Sequence, residues 1–274
     1  MARTNMRSTR VKPKTDELLT LEVLARKQIS AGFARVTLGR GDIEKFVPLG
    51  YDQWFRLFLP VPGGSLDRVP AKLDLVSYLK FLTVAKATRP VLRNYSVRSY
   101  RADGETGPEL DVDVVLHGSP EDGTAGPAST WARTCRSGDH VGLLDEGLGF
   151  QLPDDVRRLR LVADETGLPA IANILASLPD DISGEALVEL ADEDDRQKLT
   201  MPPGFAVTWL VRGPGETPGR LALAEGAALP TPDSPWFGWV AGEQALATGL
   251  RRQWVSAGLP KDRVMFCGYW RAGH

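Results

Sequence analysis

Hydrophobic and polar positions alternate along the first half of the chain, in short runs separated by Gly and Pro. The runs are residues 18–25, 33–39, 54–60, 93–98 and 109–115. In the last of them, Leu110, Val112 and Val114 predict one face of a strand, and the intervening aspartates predict the other. A Gly- and Pro-containing turn at 103–108 predicts that the last two runs pair with each other. Strands without long helices between them indicate a small antiparallel barrel that ends near residue 150.

The second half of the chain combines apolar runs with segments of helical periodicity. Apolar runs predict strands at 159–163, 186–190, 206–210, 236–241 and 264–267. Helices are predicted at 170–177 and 243–257, and on the second of them Leu246, Leu250 and Trp254 recur every four residues. Strands that alternate with helices predict a mainly parallel, doubly wound sheet.

Length and charge restrict the class of protein. At 274 residues, the chain can bury two cores. We therefore expect a flexible basic tail at 1–17, a barrel domain at 18–152 and an α/β domain at 153–274, in which the Pro- and Gly-rich segment 212–235 is a surface excursion. The formal net charge of −2 argues against bulk nucleic-acid binding. No stretch approaches the roughly 18 apolar residues of a membrane span.

The cysteines and histidines offer no catalytic or metal-binding signature. Cys135 and Cys267 lack a Cys or His at ligand spacing, so we expect no metal site and a reducing, cytoplasmic setting. Cys267 falls in a predicted buried strand, where a thiol is usually inert. His117, His140 and His274 show no triad pattern, so no side chain is assigned acid or base catalysis.

The run at 93–98 is the first candidate for ligand binding. In an extended strand its side chains fall on two faces, Arg93, Tyr95 and Val97 on one and Asn94, Ser96 and Arg98 on the other. The Tyr95 ring could pack against a flavin, and Arg93 or Arg98 could neutralise a pyrophosphate. An ordinary surface strand would explain the same residues.

The second candidate is His117-Gly118 together with the segment 126–132 that follows. Ser129 or Thr130 is predicted to cap a helix whose free N–H groups face a phosphate, while Gly126 lets the backbone approach. A capped helix after a flexible loop is the alternative explanation.

The third candidate lies where the first strand of the α/β half ends, at 164–169. Ligands bind at this end of such sheets, and the junction at Gly242 and Glu243 repeats the geometry at another strand end. The Gly-rich dinucleotide fingerprint is absent, and a sharp strand-to-helix turn explains the sequence equally well. The aromatic and basic end of the chain, 267–274, could cover a ring or bind an anion, or could simply fray.

Taken together and in order, these segments resemble the siderophore-interacting protein family. The resemblance rests on the residues at 93–98, 115–118, 126–132, 164–171, 242–243 and 268–271. It implies a ferredoxin-reductase-like fold, with an N-terminal antiparallel Greek-key barrel that binds FAD and a C-terminal α/β domain of the NAD(P)H-binding type. It also implies reduction of ferric siderophores so that iron is released.

The resemblance assigns roles to individual residues. The FAD site would comprise Arg93, Asn94, Tyr95, Ser96, Val97, His117, Gly118, Gly126, Ala128, Ser129 and Trp131. The NAD(P)H site would comprise Asp164, Glu165, Thr166, Gly167, Leu168, Pro169, Gly242 and Glu243. The ferric siderophore would be attracted by Arg56, Arg271 and His274. Arg56 stands where the family often has Lys, and Gly167 where it often has Ala. The chain stops soon after the 268–271 motif, which leaves the donor and the full basic cluster open.

The predicted reaction passes electrons from NADH, NADPH or reduced ferredoxin through FAD to a docked ferric siderophore. Because reduction alone weakens iron binding by oxygen-rich chelators, no acid or base is required. We expect a cytoplasmic monomer without a nucleic-acid or membrane partner. The alternatives are a general flavin reductase that supplies a protein partner, and a non-enzymatic binder of flavin or siderophore.

Overall fold

The computed structural model describes residues 4–5, 10–61, 64–70 and 75–273. The chain divides into two units. The barrel unit contains Lys12–Leu49 and Gln53–Gly147, and the α/β unit contains Met1–Val11, Gly50–Asp52 and Leu148–His274. Among the described residues, no helix has the length and apolar character needed to cross a membrane.

The described residues of the barrel unit form a seven-stranded antiparallel sheet and two α-helices. The strands are β1 (Leu19–Gln28), β2 (Phe33–Gly39), β3 (Trp54–Leu59), β4 (Val91–Ser96), β5 (Ser99–Gly104), β6 (Gly107–Val115) and β7 (His140–Asp145). The helices are α1 (Leu75–Leu82) and α2 (Pro127–Thr134). The strand order is β4-β3-β7-β1-β2-β6-β5.

The connection between β4 and β5 closes this sheet into a barrel. Val97 N donates to Gln53 O at 2.8 Å beside β3, and the next residue, Arg98, donates its N–H to Asp111 O on β6 at 3.0 Å. The inward side chains of alternate strand positions form one core, which includes Leu21, Val36 and Phe55. The end of β4 therefore lies where the two edges of the seven-stranded sheet meet.

The α/β unit is a five-stranded parallel sheet with three helices. The strands are β8 (Arg158–Ala163), β9 (Ser183–Leu190), β10 (Gly204–Val211), β11 (Trp236–Glu243) and β12 (Val264–Trp270), in the order β10-β9-β8-β11-β12. The helices are α3 (Leu168–Ser177), α4 (Arg220–Ala228) and α5 (Gln244–Ser256). Leu246, Leu250 and Trp254 are buried on one face of α5, as their spacing predicts.

Asp52, a residue without a predicted role, fixes part of the α/β unit. It is fully buried and accepts hydrogen bonds from Gly149 N, Phe150 N and Trp239 Nε1 at 2.9, 2.8 and 3.2 Å. Burial raises the pKa of this carboxyl, and the three donors oppose that rise.

The predicted combination of an antiparallel barrel and a parallel α/β unit is confirmed, but two local predictions are wrong. The run at 93–98 does not pair with 109–115, because the intervening strand β5 pairs with β6 while β4 pairs with β3. The segment 212–235 is more than a surface excursion, since it contains α4, on which Ala222 is fully buried.

The limits of the predicted domains and tail stay a prediction. Residues 1–3 and 6–9 of that tail lie outside the described part of the chain. Within the described part, Asn5 aligns with β12: Phe266 N donates to Asn5 Oδ1 at 3.0 Å, and Asn5 Nδ2 donates to Val264 O at 2.6 Å.

Candidate functional site

The half-buried Tyr95 lies near the end of β4 in the barrel unit. Tyr95 lies opposite Phe55 in the β3–β4 ladder and packs against the barrel core, and the following Ser96 and Val97 are buried. Burial raises the pKa of Tyr95 to about 12, so its hydroxyl stays neutral at physiological pH. Arg93 and Asn94 on the same strand are exposed.

The start of α2 has no side-chain cap. Gly126 occupies the N-cap position with Pro127 as the first helical residue, so the prediction that Ser129 or Thr130 caps this helix is wrong. The Ser129 hydroxyl is held by His117 instead, accepting from His117 N at 3.2 Å and donating to His117 O at 3.1 Å. The N–H groups of the first turn therefore lack a side-chain acceptor, which is the arrangement that binds phosphates.

Two glycines keep the loop before α2 close to His117. A Cβ on Gly126 would lie 2.8 Å from His117 Cε1. Gly118 has a φ of +63°, and a Cβ there would lie 2.5 Å from the Thr124 carbonyl group. Both positions exclude a side chain, because the loop packs closely against His117 and against its own backbone.

The structure brings the two predicted FAD segments together. Tyr95 and Val97 belong to the same hydrophobic cluster as Ala128 and Trp131 of α2. The Trp131 Nε1 is buried without a hydrogen-bond partner in the described structure. An aromatic ring, free helix N–H groups and an unsatisfied indole donor in one cluster fit a bound dinucleotide such as FAD.

Of the two arginines considered for a pyrophosphate, only Arg93 is exposed. Arg98 Nε lies 3.4 Å from Asp113 Oδ2, and the same carboxylate accepts two hydrogen bonds from Arg35, at 2.7 and 2.8 Å. Asp111 and Asp113, which alternate with apolar residues on β6, are buried and ion-paired. Sequence reasoning missed this network because its partners lie on different strands.

Arg56, a predicted siderophore residue, lies on β3 and is ion-paired. Its Nε is 2.8 Å from Oε1 of Glu146, which is largely buried. About a quarter of the Arg56 side chain remains exposed, at 28%.

In the α/β unit, the carboxyl ends of three strands meet at Asp164. This residue follows β8 and is fully buried. One carboxylate oxygen accepts from Thr166 N and Thr166 Oγ1 at 2.9 and 2.5 Å, and the other accepts from Glu243 N on β11 and Trp270 Nε1 on β12 at 2.6 and 3.0 Å. Burial, helped by the nearby Glu165, raises the pKa of Asp164 to about 6.

The neighbouring Glu165 binds a residue that the sequence did not single out. Arg212, just after β10, donates one hydrogen bond of 2.6 Å to each Glu165 oxygen and lies 3.6 Å from Glu189 on β9. Glu189 is fully buried and accepts from Gly219 N and Ala222 N at the start of α4, at 2.7 and 2.8 Å. The three residues are far apart in the chain, so local patterns could not reveal the group.

The remaining predicted nucleotide residues form the turns around Asp164. Glu165–Gly167 is a single 3-10 turn, and Leu168 and Pro169 begin α3 as buried residues. Gly242 has a φ of +127°, and a Cβ there would lie 2.6 Å from the Asp164 carboxylate. The Glu243 side chain accepts from Ala245 N and Ala272 N.

The last predicted residues lie at the end of the chain. Arg271 is exposed, and His274 lies outside the described residues. Cys267 is buried, as predicted for an inert thiol, and burial raises its pKa to about 11. No group of three or more potential ligands among the described His, Cys, Asp and Glu residues could hold a metal ion.

Comparisons with known proteins agree with both halves of this description. A model of the siderophore-interacting FAD-binding domain matches residues 22–148, and a model of the siderophore-interacting protein matches residues 156–273. The ferric vibriobactin reductase ViuB of Vibrio cholerae is 29% identical over 92% of this chain and 89% of its own. The NADPH-dependent ferric-chelate reductase of Escherichia coli is 29% identical over 92% of each chain.

Further similarity comes from a shorter match and a solved structure. An uncharacterized protein of Mycobacterium tuberculosis is 36% identical over 72% of this chain, and the match spans 66% of that protein. The crystal structure of a siderophore utilization protein from T. fusca superimposes with a TM-score of 0.77 at 29% identity and covers 97% of both chains.

Fold and family-model match together define an FAD-binding protein, and its architecture is also found in a ferredoxin NADP+ reductase of low sequence identity. Within that class, the chain belongs to the siderophore-interacting protein family.

Proposed function

We propose that this protein is an FAD-dependent ferric-siderophore reductase that releases iron from the chelator. The observation that carries the proposal is the cluster in the barrel unit, where the Tyr95 ring, the uncapped start of α2 and the orphaned Trp131 indole lie together. The related ferric vibriobactin reductase and ferric-chelate reductase support the choice of substrate.

We assign FAD to this cluster, with three parts of the chain in separate roles. Tyr95, Ser96 and Val97, with Arg93 and Asn94, would hold the ring system. His117, Gly118 and Gly126 would shape a cradle for the pyrophosphate, and the α2 residues Ala128, Ser129 and Trp131 would supply donors and apolar surface. When bound, FAD supplies the exchange between a two-electron donor and a one-electron acceptor.

The α/β unit is proposed to bind the nicotinamide nucleotide at the carboxyl ends of its strands. Asp164 would act indirectly, by holding neighbouring groups in place. Its two oxygens already accept four hydrogen bonds and have no free lone pair for a ligand. The nucleotide would then contact the backbone of Thr166 and Gly167, the start of α3 and the Gly242–Glu243 junction. NADPH, NADH and reduced ferredoxin are the candidate donors.

The ferric siderophore is proposed to be attracted by cationic side chains. Arg271 is exposed, and Arg56 keeps part of its side chain exposed although Glu146 pairs with its charge. A positive charge concentrates anionic chelates and speeds their encounter. We further propose that the protein acts as a cytoplasmic monomer, which is compatible with two buried, unpaired thiols.

An anaerobic titration of the FAD-loaded protein tests the proposal. The flavin absorbance is recorded while NADH, NADPH or reduced ferredoxin is added, and a ferric siderophore with a ferrous-iron trap follows. Bleaching by one donor, then recovery with one ferrous iron trapped per electron, is expected. A protein that binds no FAD, or a reduced protein that leaves ferric siderophores unchanged, would contradict the proposal. Transfer only to a protein acceptor would indicate a general flavin reductase.

A further inference from the structure

Helix α1 of the barrel unit exposes an apolar face. Val76, Leu79, Leu82 and Tyr78 are 73%, 56%, 40% and 37% exposed. They are four of the seven large hydrophobic residues exposed in the described structure, and the other three lie far away along the chain. A surface helix normally directs polar residues to solvent, so this concentration requires an explanation.

The opposite side of α1 anchors the helix to the barrel. Phe81 is buried and packs edge-on against Phe58 of β3, with ring centroids 5.5 Å apart. Arg89 Nη1 donates to Leu82 O at 2.7 Å and so satisfies a carbonyl at the end of the helix. These contacts hold α1 against the barrel and leave its apolar face exposed. Val76, Leu79 and Leu82 are spaced by three residues and so lie along one side of the helix.

Basic residues outnumber acidic ones in α1 and the described chain on either side of it. Described residues 64–70 and 75–90 contain the bases Arg68, Lys80, Lys86 and Arg89 and the single acid Asp67, a balance of +3 on a chain whose net charge is −2. Lys80 and Lys86 are exposed, and no carboxylate among the described residues pairs with them. An apolar strip bordered by lysines is the pattern of a helix that lies in a membrane interface.

We propose that α1 docks this protein on an anionic phospholipid surface. Val76, Leu79 and Leu82 would enter the headgroup region, while Lys80 and Lys86 would lie against lipid phosphates. Such docking needs no membrane-spanning segment, but it departs from the expectation, drawn from sequence, that the protein has no membrane partner. It is argued from α1 alone and does not depend on the proposed reductase activity.

Charge favours lipid over a second copy of the chain as the occupant of this face. A symmetric dimer through α1 would bring Lys80 and Lys86 close to their own counterparts, and like charges in contact oppose association. Anionic lipid supplies the opposite charge, worth about 1 kcal/mol for each basic side chain near the surface. Two lysines and a short apolar strip predict weak, reversible and salt-sensitive binding.

Vesicle flotation of the full-length, FAD-loaded protein tests the proposal. The probes are vesicles of phosphatidylcholine mixed with phosphatidylglycerol, and vesicles of phosphatidylcholine alone. We expect the protein to bind the anionic vesicles, and this binding should weaken as salt is added. Binding to the neutral vesicles should be weaker by about tenfold or more. Leu79→Glu and the double variant Lys80→Gln/Lys86→Gln should each weaken binding about tenfold or more.

Met201→Glu is the matched control, because Met201 is also an exposed apolar residue, at 41%, but lies in the α/β unit. It should bind like the wild type. Retained flavin absorbance and circular dichroism show that each variant is folded. Any of three results would overturn the proposal. These are equal binding to neutral vesicles, undiminished binding by both Leu79→Glu and Lys80→Gln/Lys86→Gln, and no vesicle binding at all. A dimer that Leu79→Glu dissociates, without lipid binding, would assign the face to self-association instead.

Discussion

Asp164 makes the stability of the α/β unit depend on pH in a defined direction. Burial raises its pKa from 3.8 to about 6 in the folded protein. The folded state therefore binds more protons than the unfolded state between these values, and stability falls as pH rises through this window. A difference of this size corresponds to about 3 kcal/mol in total, of which somewhat less than half is lost between pH 5 and pH 7.

Asp164→Asn isolates this effect because an amide does not titrate. The Asn NH₂ group would face the N–H donors of Glu243 and Trp270, which costs about 1–3 kcal/mol for each unsatisfied donor at every pH. We therefore expect the difference in free energy of unfolding, wild type minus variant, to have two parts. One part is constant, and the other falls by about 1 kcal/mol from pH 5 to pH 7.

Urea unfolding followed by tryptophan fluorescence at several pH values measures that difference. Asp192→Asn is the matched control, since Asp192 also accepts from the backbone N–H two residues later, at 2.9 Å, but lies exposed in its turn. The control should follow the wild-type pH curve. A wild-type-minus-Asp164→Asn difference that stays constant between pH 5 and pH 7, or grows with pH, would refute the reasoning.

Three further predictions concern charge, backbone and thiols. Arg212→Ala leaves two buried carboxylates without their partner, and we expect urea unfolding to show a loss of about 3–5 kcal/mol. Gly118→Ala should weaken FAD binding about tenfold in a flavin-fluorescence titration, whereas Gly123→Ala, also at positive φ but with no atom within 4 Å of its Cβ, should not. Burial raises the pKa of Cys135 and Cys267 to about 11, so both should react with a disulfide reagent only after denaturation.

The two-part architecture could be predicted from sequence because hydrophobic periodicity differs between the halves. Residues 33–39 alternate regularly, and the predicted strand coincides with β2. Strand β5 was missed because Ser99–Gly104 carries mostly polar residues and turn formers. Without β5, the strand at 93–98 was paired with the wrong neighbour.

Polar residues were harder to place because their partners are distant in sequence. Alternation correctly separates Asp113 from Val112 and Val114, but it does not show that Arg35 on β2 lies directly opposite Asp113 in the β2–β6 ladder. The predicted helix cap is wrong because the helix begins earlier, at Pro127, so that Ser129 lies inside its first turn. There its hydroxyl bonds the backbone of His117 on the preceding segment.

The sequence motifs that resemble the family are physically linked in the α/β unit. Asp164, Glu243 and Trp270 stand in three separate motifs, and hydrogen bonds from the latter two residues meet on one carboxylate oxygen. The Asp164 and Trp270 side chains therefore account for each other before any ligand is considered, while Glu243 contributes its backbone N–H. Since Asp164 has no acceptor capacity left, replacing it should disturb nucleotide binding through displacement of Trp270 and the Gly242–Glu243 junction. A substitution that weakens binding without moving these neighbours would instead indicate direct contact with the nucleotide.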